Sequence, residues 1–187
     1  MKSVALLSGS KGVGKTTLCA RVAARARAVG LRVAGVISPP EIAPDGAKVG
    51  ILVEDVAAGE RRRLAVATHL RRGARTETTH WSFNEDALHW GAGVIARATP
   101  CDLLLLDELG PLELERGEGW TAALDVLRDG AYRWALVVVR PSLVPIMQDR
   151  AAGWPGVQAG DVIAVTGANR DALPEQIAAR LWGEARC

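Results

Sequence analysis

Short apolar runs alternate with helical patterns along most of the chain, and this alternation is the strongest structural signal in the sequence. A continuous apolar run of four to seven residues is typical of a strand that is buried on both faces. Runs of this kind predict strands at Val4 to Leu7, Leu103 to Leu106, Ala135 to Val139 and Val162 to Val165, and the β-branched stretch Leu31 to Ile37 predicts another. Such strands belong to a parallel sheet whose two faces are covered by helices.

Helices are predicted between these runs from apolar residues at helical spacing and from capping residues. The first helix is predicted after residues 9–17, from apolar positions that recur from Leu18 to Val29, and it stops at Gly30; Asn84 is placed to cap the second. The others are predicted from about Trp120 to Asp129, from Pro141 to Ala152, and from a cap at Asp171 to about Trp182, with Pro174 in its first turn.

The middle of the chain has a different pattern, which indicates antiparallel strands. Lys48 to Glu54 and Arg61 to Ala67 are extended stretches around a turn and predict a hairpin, and Trp81 with Phe83 predicts a further short strand. The expected fold is α/β: a mainly parallel sheet with helices on both faces and an antiparallel hairpin at one edge. No repeat or linker divides the sequence, so we expect a single domain over residues 1–187.

Composition restricts the partners. The chain has 187 residues, 49% hydrophobic and 24% charged, with a formal net charge of +2. This charge is too small to indicate nucleic acid as a main partner, and no apolar stretch is long enough to cross a membrane. The odd number of widely spaced cysteines, Cys19, Cys101 and Cys187, favours a reduced cytoplasmic setting. The sequence does not indicate an oligomeric state.

Candidate chemistry begins directly after the first apolar run, in a glycine-rich segment. Residues 9–17 read GSKGVGKTT and satisfy the pattern GxxxxGK(S/T). Backbone N–H groups of such a loop and the positive end of the following helix surround an anion, so the loop predicts a nucleoside triphosphate ligand with Mg2+. Lys15 is expected to reach the β and γ phosphates, and Thr16 is expected to bind the metal ion. The residues predicted to bind the nucleotide here are Gly9, Ser10, Lys11, Gly12, Val13, Gly14, Lys15, Thr16 and Thr17.

An acidic pair, Asp107 and Glu108, follows the apolar strand Leu103 to Leu106. Ligands of parallel α/β sheets gather at the carboxyl ends of the strands, so this pair is expected to face the phosphates. Asp107 is predicted to hold Mg2+ with Thr16, and Glu108 is predicted to orient or deprotonate an attacking water.

Three segments together resemble a known family. The glycine loop, Asp107 to Glu113 (DELGPLE) and Thr166 to Asp171 (TGANRD) resemble the small P-loop nucleoside-triphosphatases related to the cancer-related nucleoside triphosphatase. Pro40-Glu41-Ile42 is similar to that family's Pro-Glu-Val. The resemblance implies a RecA-like fold that hydrolyses ATP, GTP and other triphosphates with Mg2+, and it places Asn169 and Arg170 near the base or ribose.

Two functional questions remain open at the level of the sequence. Lys11 is a candidate for the cation that an arginine finger would otherwise supply, and a solvent-facing Lys11 is equally compatible with the pattern. Without an assured finger, turnover is expected to be slow, about 0.0001 to 0.01 per second. Base selectivity is expected to be loose, because the chain has no (N/T)KxD segment. Two functions are alternatives to hydrolysis. The first is a kinase that transfers the γ-phosphoryl group to a nucleotide, nucleoside or nucleic-acid hydroxyl, and the second is a nucleotide-gated partner or chaperone protein.

Several basic and aromatic residues fit either a ligand-binding or a structural role. Arg61 to Arg63 with Arg71, Arg72 and Arg75 would form a phosphate lid, a nucleic-acid face or, as the favoured interpretation, a solvated hairpin edge. Packing is the favoured role of the tryptophans Trp81, Trp90 and Trp154, with stacking on a nucleobase as the alternative. His69, His80 and His89 show no metal-ligand spacing, and Cys19 is expected to be buried and inert.

Overall fold

The computed structural model of the protein describes residues 2–67 and 81–183. These ranges do not include Arg71, Arg72, Arg75, His69, His80 and Cys187, so what was predicted for these residues stays a prediction. Nine strands form one sheet in the described ranges. Their bounds are β1 Lys2–Ser8, β2 Val33–Ile37, β3 Pro40–Ile42, β4 Lys48–Asp55, β5 Arg61–Ala67, β6 Trp81–Phe83, β7 Leu103–Leu109, β8 Trp134–Val139 and β9 Val157–Ala164.

The helices alternate with the strands of the parallel part, as the sequence predicts. Their bounds are α1 Lys15–Ala28, α2 Glu85–Ala96, α3 Ala122–Asp129, α4 Val144–Ala152 and α5 Leu173–Trp182. A π-helical turn at Leu112–Arg116 and a 3-10 turn at Pro141–Leu143 complete the regular elements of the described ranges. Asn84 caps α2 as predicted, since its side chain accepts a hydrogen bond from the Ala87 N–H at 3.2 Å.

The strand order is β6-β5-β4-β2-β7-β8-β1-β9, with β3 paired to β4. The strands β2, β7, β8, β1 and β9 are parallel, whereas β4, β5 and β6 continue the sheet as antiparallel neighbours. The predicted fold class is therefore confirmed. One feature of this order positions the site: β8 lies between β1, which leads into the glycine loop, and β7, which ends in the acidic pair.

Two apolar layers hold the helices against the sheet. Alternate leucines of β7 point to opposite faces, as the two-residue period of a strand requires. Leu103 and Leu105 pack with α1 and α5, whereas Leu104 and Leu106 pack with α2, α3 and α4. Full burial of each such leucine stabilises the fold by about 1.5 to 3 kcal/mol, so the strand that carries the acidic pair is firmly anchored.

Four local features differ from the predicted elements. β9 begins at Val157 rather than Val162, because main-chain pairing with β1 starts there without any alternation of apolar side chains. Asp171 does not cap α5; that prediction was wrong, because the helix begins at Leu173 and the Asp171 carboxylate instead accepts a hydrogen bond from Arg21 at 3.1 Å. Pro40–Ile42 pairs with β4 as an extra short strand. α3 starts after Trp120, whose ring N–H donates to the Leu88 carbonyl at 3.1 Å.

Among residues 2–67 and 81–183, every helix is too short or too polar to cross a membrane.

Candidate active site

The glycine loop connects β1 to α1 and folds around its own lysine. Gly12 and Gly14 have φ values of 79° and 104°, a region that L side chains rarely adopt. The Lys15 ammonium donates hydrogen bonds to the carbonyls of Gly9 at 2.8 Å and Ser10 at 2.9 Å. The loop is therefore a closed turn with a positive charge at its mouth, and α1 begins at that lysine.

Gly9 is required by a close approach of two backbones. A Cβ at this position would lie 2.4 Å from the Val165 carbonyl oxygen. A hydrogen bond joins the two backbones at the same place: the Val165 N–H donates to the Ser8 carbonyl at 2.7 Å. The start of the glycine loop is thus packed against the chain that leaves β9.

The second half of the site is Asp107, near the carboxyl end of β7. Its side chain is almost fully buried, with 3% of the residue exposed, and it accepts a hydrogen bond from the Thr16 hydroxyl. The Ser38 N–H also donates to this carboxylate, at 3.1 Å. Burial raises the pKa of Asp107, and the hydrogen bonds from Thr16 and Ser38 act against that rise. The structure therefore brings the two predicted metal ligands, Thr16 and Asp107, into direct contact.

Glu108 differs from its neighbour in environment. Its side chain is 37% exposed, and its carboxylate accepts a hydrogen bond from the Arg140 Nε at 2.8 Å. Arg140 was not among the predicted site residues. A signal for it exists in the sequence, because it directly follows the apolar run Ala135 to Val139, as the acidic pair follows its own strand.

Glu113 fixes the segment that follows the acidic pair. Its buried carboxylate accepts hydrogen bonds from the Gly110 N–H at 2.9 Å and the Trp120 N–H at 3.0 Å. Burial raises the pKa of Glu113, and these two backbone hydrogen bonds partly offset the rise. Through these two hydrogen bonds, Glu113 links the end of β7 to the segment that precedes α3, and we call this pair of bonds the Glu113 clasp.

The segment 166–171 lies beside the glycine loop. The Asn169 amide closes its own loop: its oxygen accepts from the Thr166 N–H and its nitrogen donates to the Ala164 carbonyl, both at 2.8 Å. Arg170 reaches further, with Nη1 3.5 Å from the Val13 carbonyl and Cδ 3.6 Å from the position of a Cβ on Gly14. Of the two residues predicted near the nucleotide, Arg170 is the one in contact with the loop.

Two lysines besides Lys15 lie near the site. Lys11 is exposed on the glycine loop, as are Ser10, Gly12 and Thr17. Lys48, the first residue of β4, lies 5.0 Å above the ring of Trp81. Burial and the charge of Lys11 lower the pKa of Lys48, whereas Glu108 and Asp107 raise it, so Lys48 also lies within range of the site's charges.

The arginines of the described hairpin are engaged with their own surroundings. Arg61 pairs with Glu54 at 2.6 Å, and Arg63 pairs with Glu41 at 2.7 Å across the sheet. Arg62 lies 4.6 Å above the Trp90 ring. All three arginines are exposed, and β5 pairs with β6 through Ala65 to Ala67, so these arginines lie on a solvated stretch of the hairpin, in agreement with the favoured interpretation.

The donor set at the centre of the site fits a hard divalent cation. Thr16 and Asp107 offer a hydroxyl and a carboxylate oxygen at one point, beside the lysine of the glycine loop. Mg2+ is commonly held by one or two protein oxygens together with substrate phosphates and water. The residues present therefore suit a metal ion that arrives with a phosphate ligand.

The sheet order, the glycine loop and the acidic strand define a P-loop NTPase fold. The sequence model of the NTPase family matches residues 4–178, and the chain belongs to that family. Nucleoside-triphosphatase THEP1 of Methanosarcina acetivorans is 30% identical over 176 residues, which cover 93% of this chain and 94% of the relative. The THEP1 protein of Methanopyrus kandleri is 32% identical over 188 residues, with 97% of each chain covered.

Solved structures show the same fold. THEP1 from Aquifex aeolicus superimposes with a TM-score of 0.69 at 18% identity, over 96% of this chain and 99% of that one. The human cancer-related nucleoside triphosphatase gives a TM-score of 0.69 at 21% identity over the full length of both chains. The protein is thus an enzyme of the nucleoside-triphosphatase class, with a nucleotide as its substrate and, as is general in this family, a divalent metal.

Proposed function

We propose that the protein hydrolyses nucleoside triphosphates, including ATP and GTP, to the diphosphate and phosphate in a slow, Mg2+-dependent reaction with loose base selectivity. The observation that carries the proposal is the contact between Thr16 and Asp107 beside Lys15. This contact joins the end of the glycine loop to the acidic strand, which are the two halves that a metal-bound triphosphate has to touch.

Binding is assigned to the loop and to its lysine. The backbone N–H groups of residues 9–17 surround the β and γ phosphates, and Lys15 exchanges its hydrogen bonds with the loop carbonyls for bonds to phosphate oxygens. Thr16 and Asp107 would hold Mg2+, which when bound neutralises part of the phosphate charge. Lys11 is assigned to the γ phosphate as a further cation from the loop.

Chemistry is assigned to Glu108, which is partly open to solvent beside the buried Asp107. Its carboxylate orients a water molecule in line with the γ phosphorus. The water oxygen forms a bond to phosphorus while the bond to the β–γ bridging oxygen breaks, and that oxygen leaves on the diphosphate. One water proton passes to Glu108 and then to the phosphate product.

Selectivity and setting follow from less specific features. The Asn169 side chain is used within its own loop, so Arg170 is the residue of this segment that we assign to the ribose or base. A guanidinium plane stacks on any base, which supports loose selectivity. The free, buried thiols of Cys19 and Cys101 support a reduced cytoplasmic setting, and we propose that residues 1–187 act as a single domain.

The test is a phosphate-release assay over several triphosphates, with and without Mg2+, on the wild type and Glu108→Gln. A positioned general base contributes about 100-fold to 10,000-fold, so the variant should lose at least 100-fold in turnover and still bind nucleotide. Glu115→Gln is the matched control, because Glu115 is an exposed glutamate seven residues further along the chain. Full turnover in Glu108→Gln contradicts the assignment of the base.

The same assay separates hydrolysis from phosphoryl transfer. A panel of hydroxyl acceptors is added with a triphosphate labelled at the γ position, and the label is followed. We expect it in free phosphate with every acceptor. Label on an acceptor would show a kinase instead.

A further inference from the structure

Arg140 directly follows β8, at the carboxyl end of the parallel strands, between the two halves of the site. Val139, the last residue of β8, pairs with Ser8 of β1 on one side and with Leu109 of β7 on the other. The chain therefore leaves β8 between the glycine loop and the acidic pair. The Arg140 side chain therefore starts between these two segments, and its contact with Glu108 shows that it points toward the acidic pair.

The direction of this exit is set by the local sequence. Pro141 begins a 3-10 turn and restricts the residue before it to extended conformations. Arg140 accordingly has φ −69° and ψ 149°. The side chain is held at the mouth of the site by a backbone that has little freedom to turn away.

The contact that Arg140 makes uses a small part of its hydrogen-bonding capacity. Its Nε–H donates to Glu108 at 2.8 Å, and its side chain is 57% exposed. Within residues 2–67 and 81–183, its terminal amino groups make no hydrogen bond to another side chain or backbone group. Four of the five N–H donors of the guanidinium therefore stay available for a ligand.

An exposed ion pair of this kind contributes little to stability. The position of this pair matters for the reaction, because the guanidinium contacts the carboxylate assigned to orient water, and Arg140 follows the strand that pairs with β1, which leads into the glycine loop. The planar fork of arginine matches phosphate oxygens and carries a charge at every accessible pH.

We propose that Arg140 is a further catalytic residue, the in-cis arginine of this enzyme: its terminal amino groups bind the γ phosphate while its Nε–H holds Glu108 toward the attacking water. The proposal rests on the proposed hydrolase function. It gives the developing charge on the phosphate a donor from β8, in addition to Lys15 from the loop. It also ties the orientation of Glu108 to the presence of the third phosphate.

The expected magnitude follows from GTPases with and without such a residue. An enzyme with its arginine in cis turns over at about 0.01 per second, and one without an arginine turns over at about 0.0003 per second, a ratio of about 30. The wild type should therefore lie near the upper end of the slow range. Arg140→Gln should lose about 30-fold or more in turnover, and Arg140→Lys should retain part of it, because an ammonium keeps the charge without the fork.

The matched control is Arg32→Gln. Arg32 also pairs with a carboxylate, Asp102 at 3.5 Å, but the pair precedes β2 and β7 and so lies at the opposite edge of the same sheet. This variant removes one exposed arginine ion pair and should leave turnover and thermal unfolding unchanged. Thermal unfolding of Arg140→Gln and Arg140→Lys should likewise match the wild type.

A binding measurement distinguishes contact with phosphate from an effect through Glu108 alone. The affinity for ADP is measured without and with aluminium fluoride, which mimics the transferring phosphoryl group, in the wild type, Glu108→Gln, Arg140→Gln and the double variant. Arg140→Gln should weaken binding of the ADP–aluminium fluoride complex by about 30-fold and leave ADP binding unchanged, in both the wild-type and the Glu108→Gln background.

Unchanged affinity for the fluoride complex in the Glu108→Gln background would overturn the proposal, since Arg140 would then act only through Glu108. Wild-type turnover in Arg140→Gln would overturn it as well. If the wild type releases no phosphate, the hydrolase proposal fails, and the fluoride arm still decides whether Arg140 contacts the terminal phosphoryl group.

Discussion

Replacing Glu113 by alanine removes both acceptors of a buried clasp. The carboxylate accepts the N–H groups of Gly110 and Trp120 at 2.9 and 3.0 Å, and the residue is 6% exposed. Leaving a buried donor without a partner costs about 1 to 3 kcal/mol, so two donors cost about 2 to 6 kcal/mol. For a chain of this size each kcal/mol lowers the melting temperature by about 2 to 4 °C, which predicts a drop of at least about 4 °C.

The loss should also depend on pH in a defined direction. Burial raises the pKa of Glu113 above its ordinary value, so the folded protein binds this proton more strongly than the unfolded chain does. The stability from the protonated form is complete below the ordinary carboxyl pKa of 4.5 and is lost as the pH rises through the raised value. Glu113→Ala has no carboxyl group at this position and lacks this pH-dependent loss. The difference in free energy of unfolding between the variant and the wild type should therefore shrink between pH 5 and pH 8.

Thermal and urea unfolding at both pH values measure these effects. Glu115→Ala is the control, because Glu115 lies two residues away in the same π-helical turn and is exposed. Equal stability of the two variants would refute the clasp. A stability loss of Glu113→Ala that stays constant from pH 5 to pH 8 would refute the pKa argument.

Two further predictions concern glycines and thiols. Gly119→Ala should be markedly less stable than Gly117→Ala in urea unfolding: both have positive φ, but an added Cβ at position 119 would lie 2.3 Å from Glu113 Oε1, whereas position 117 has nothing within 4 Å. Equal losses would contradict this. Burial raises the pKa of Cys19 and raises that of Cys101 to about 11, so iodoacetamide at pH 8 should leave both unmodified in the folded protein and label both in urea, as read by peptide mass mapping. Labelling of either in the native state would contradict their burial.

The parts of the fold that could be predicted are those in which local pattern and tertiary burial agree. β7 and β8 are continuous apolar runs because helices cover both of their faces. The glycine loop has a sequence signature because its φ values and its contact with Val165 exclude side chains. The prediction that residues 1–187 form a single domain stays a prediction.

The missed elements depend on neighbours that the sequence does not reveal. β9 is an edge strand with little apolar alternation, and its first half is specified by main-chain pairing to β1. Arg140 follows an apolar run, but its place beside Glu108 depends on the order of strands, and nothing local to the run Ala135 to Val139 says which strands flank it. Glu113 belongs to a recognisable segment, but its partner Trp120 is seven residues away across a turn.

The interposed strand β8 sets the width of the catalytic cleft. Neighbouring strands lie about 4.7 to 4.9 Å apart, so two steps separate the exits of β1 and β7 by roughly 9 to 10 Å. This spacing is a property of main-chain pairing and does not depend on which side chains fill the loops. Exchanging the loops of this protein with those of its relatives should therefore alter which nucleotide is preferred, while the distance between the glycine loop and the acidic pair stays the same.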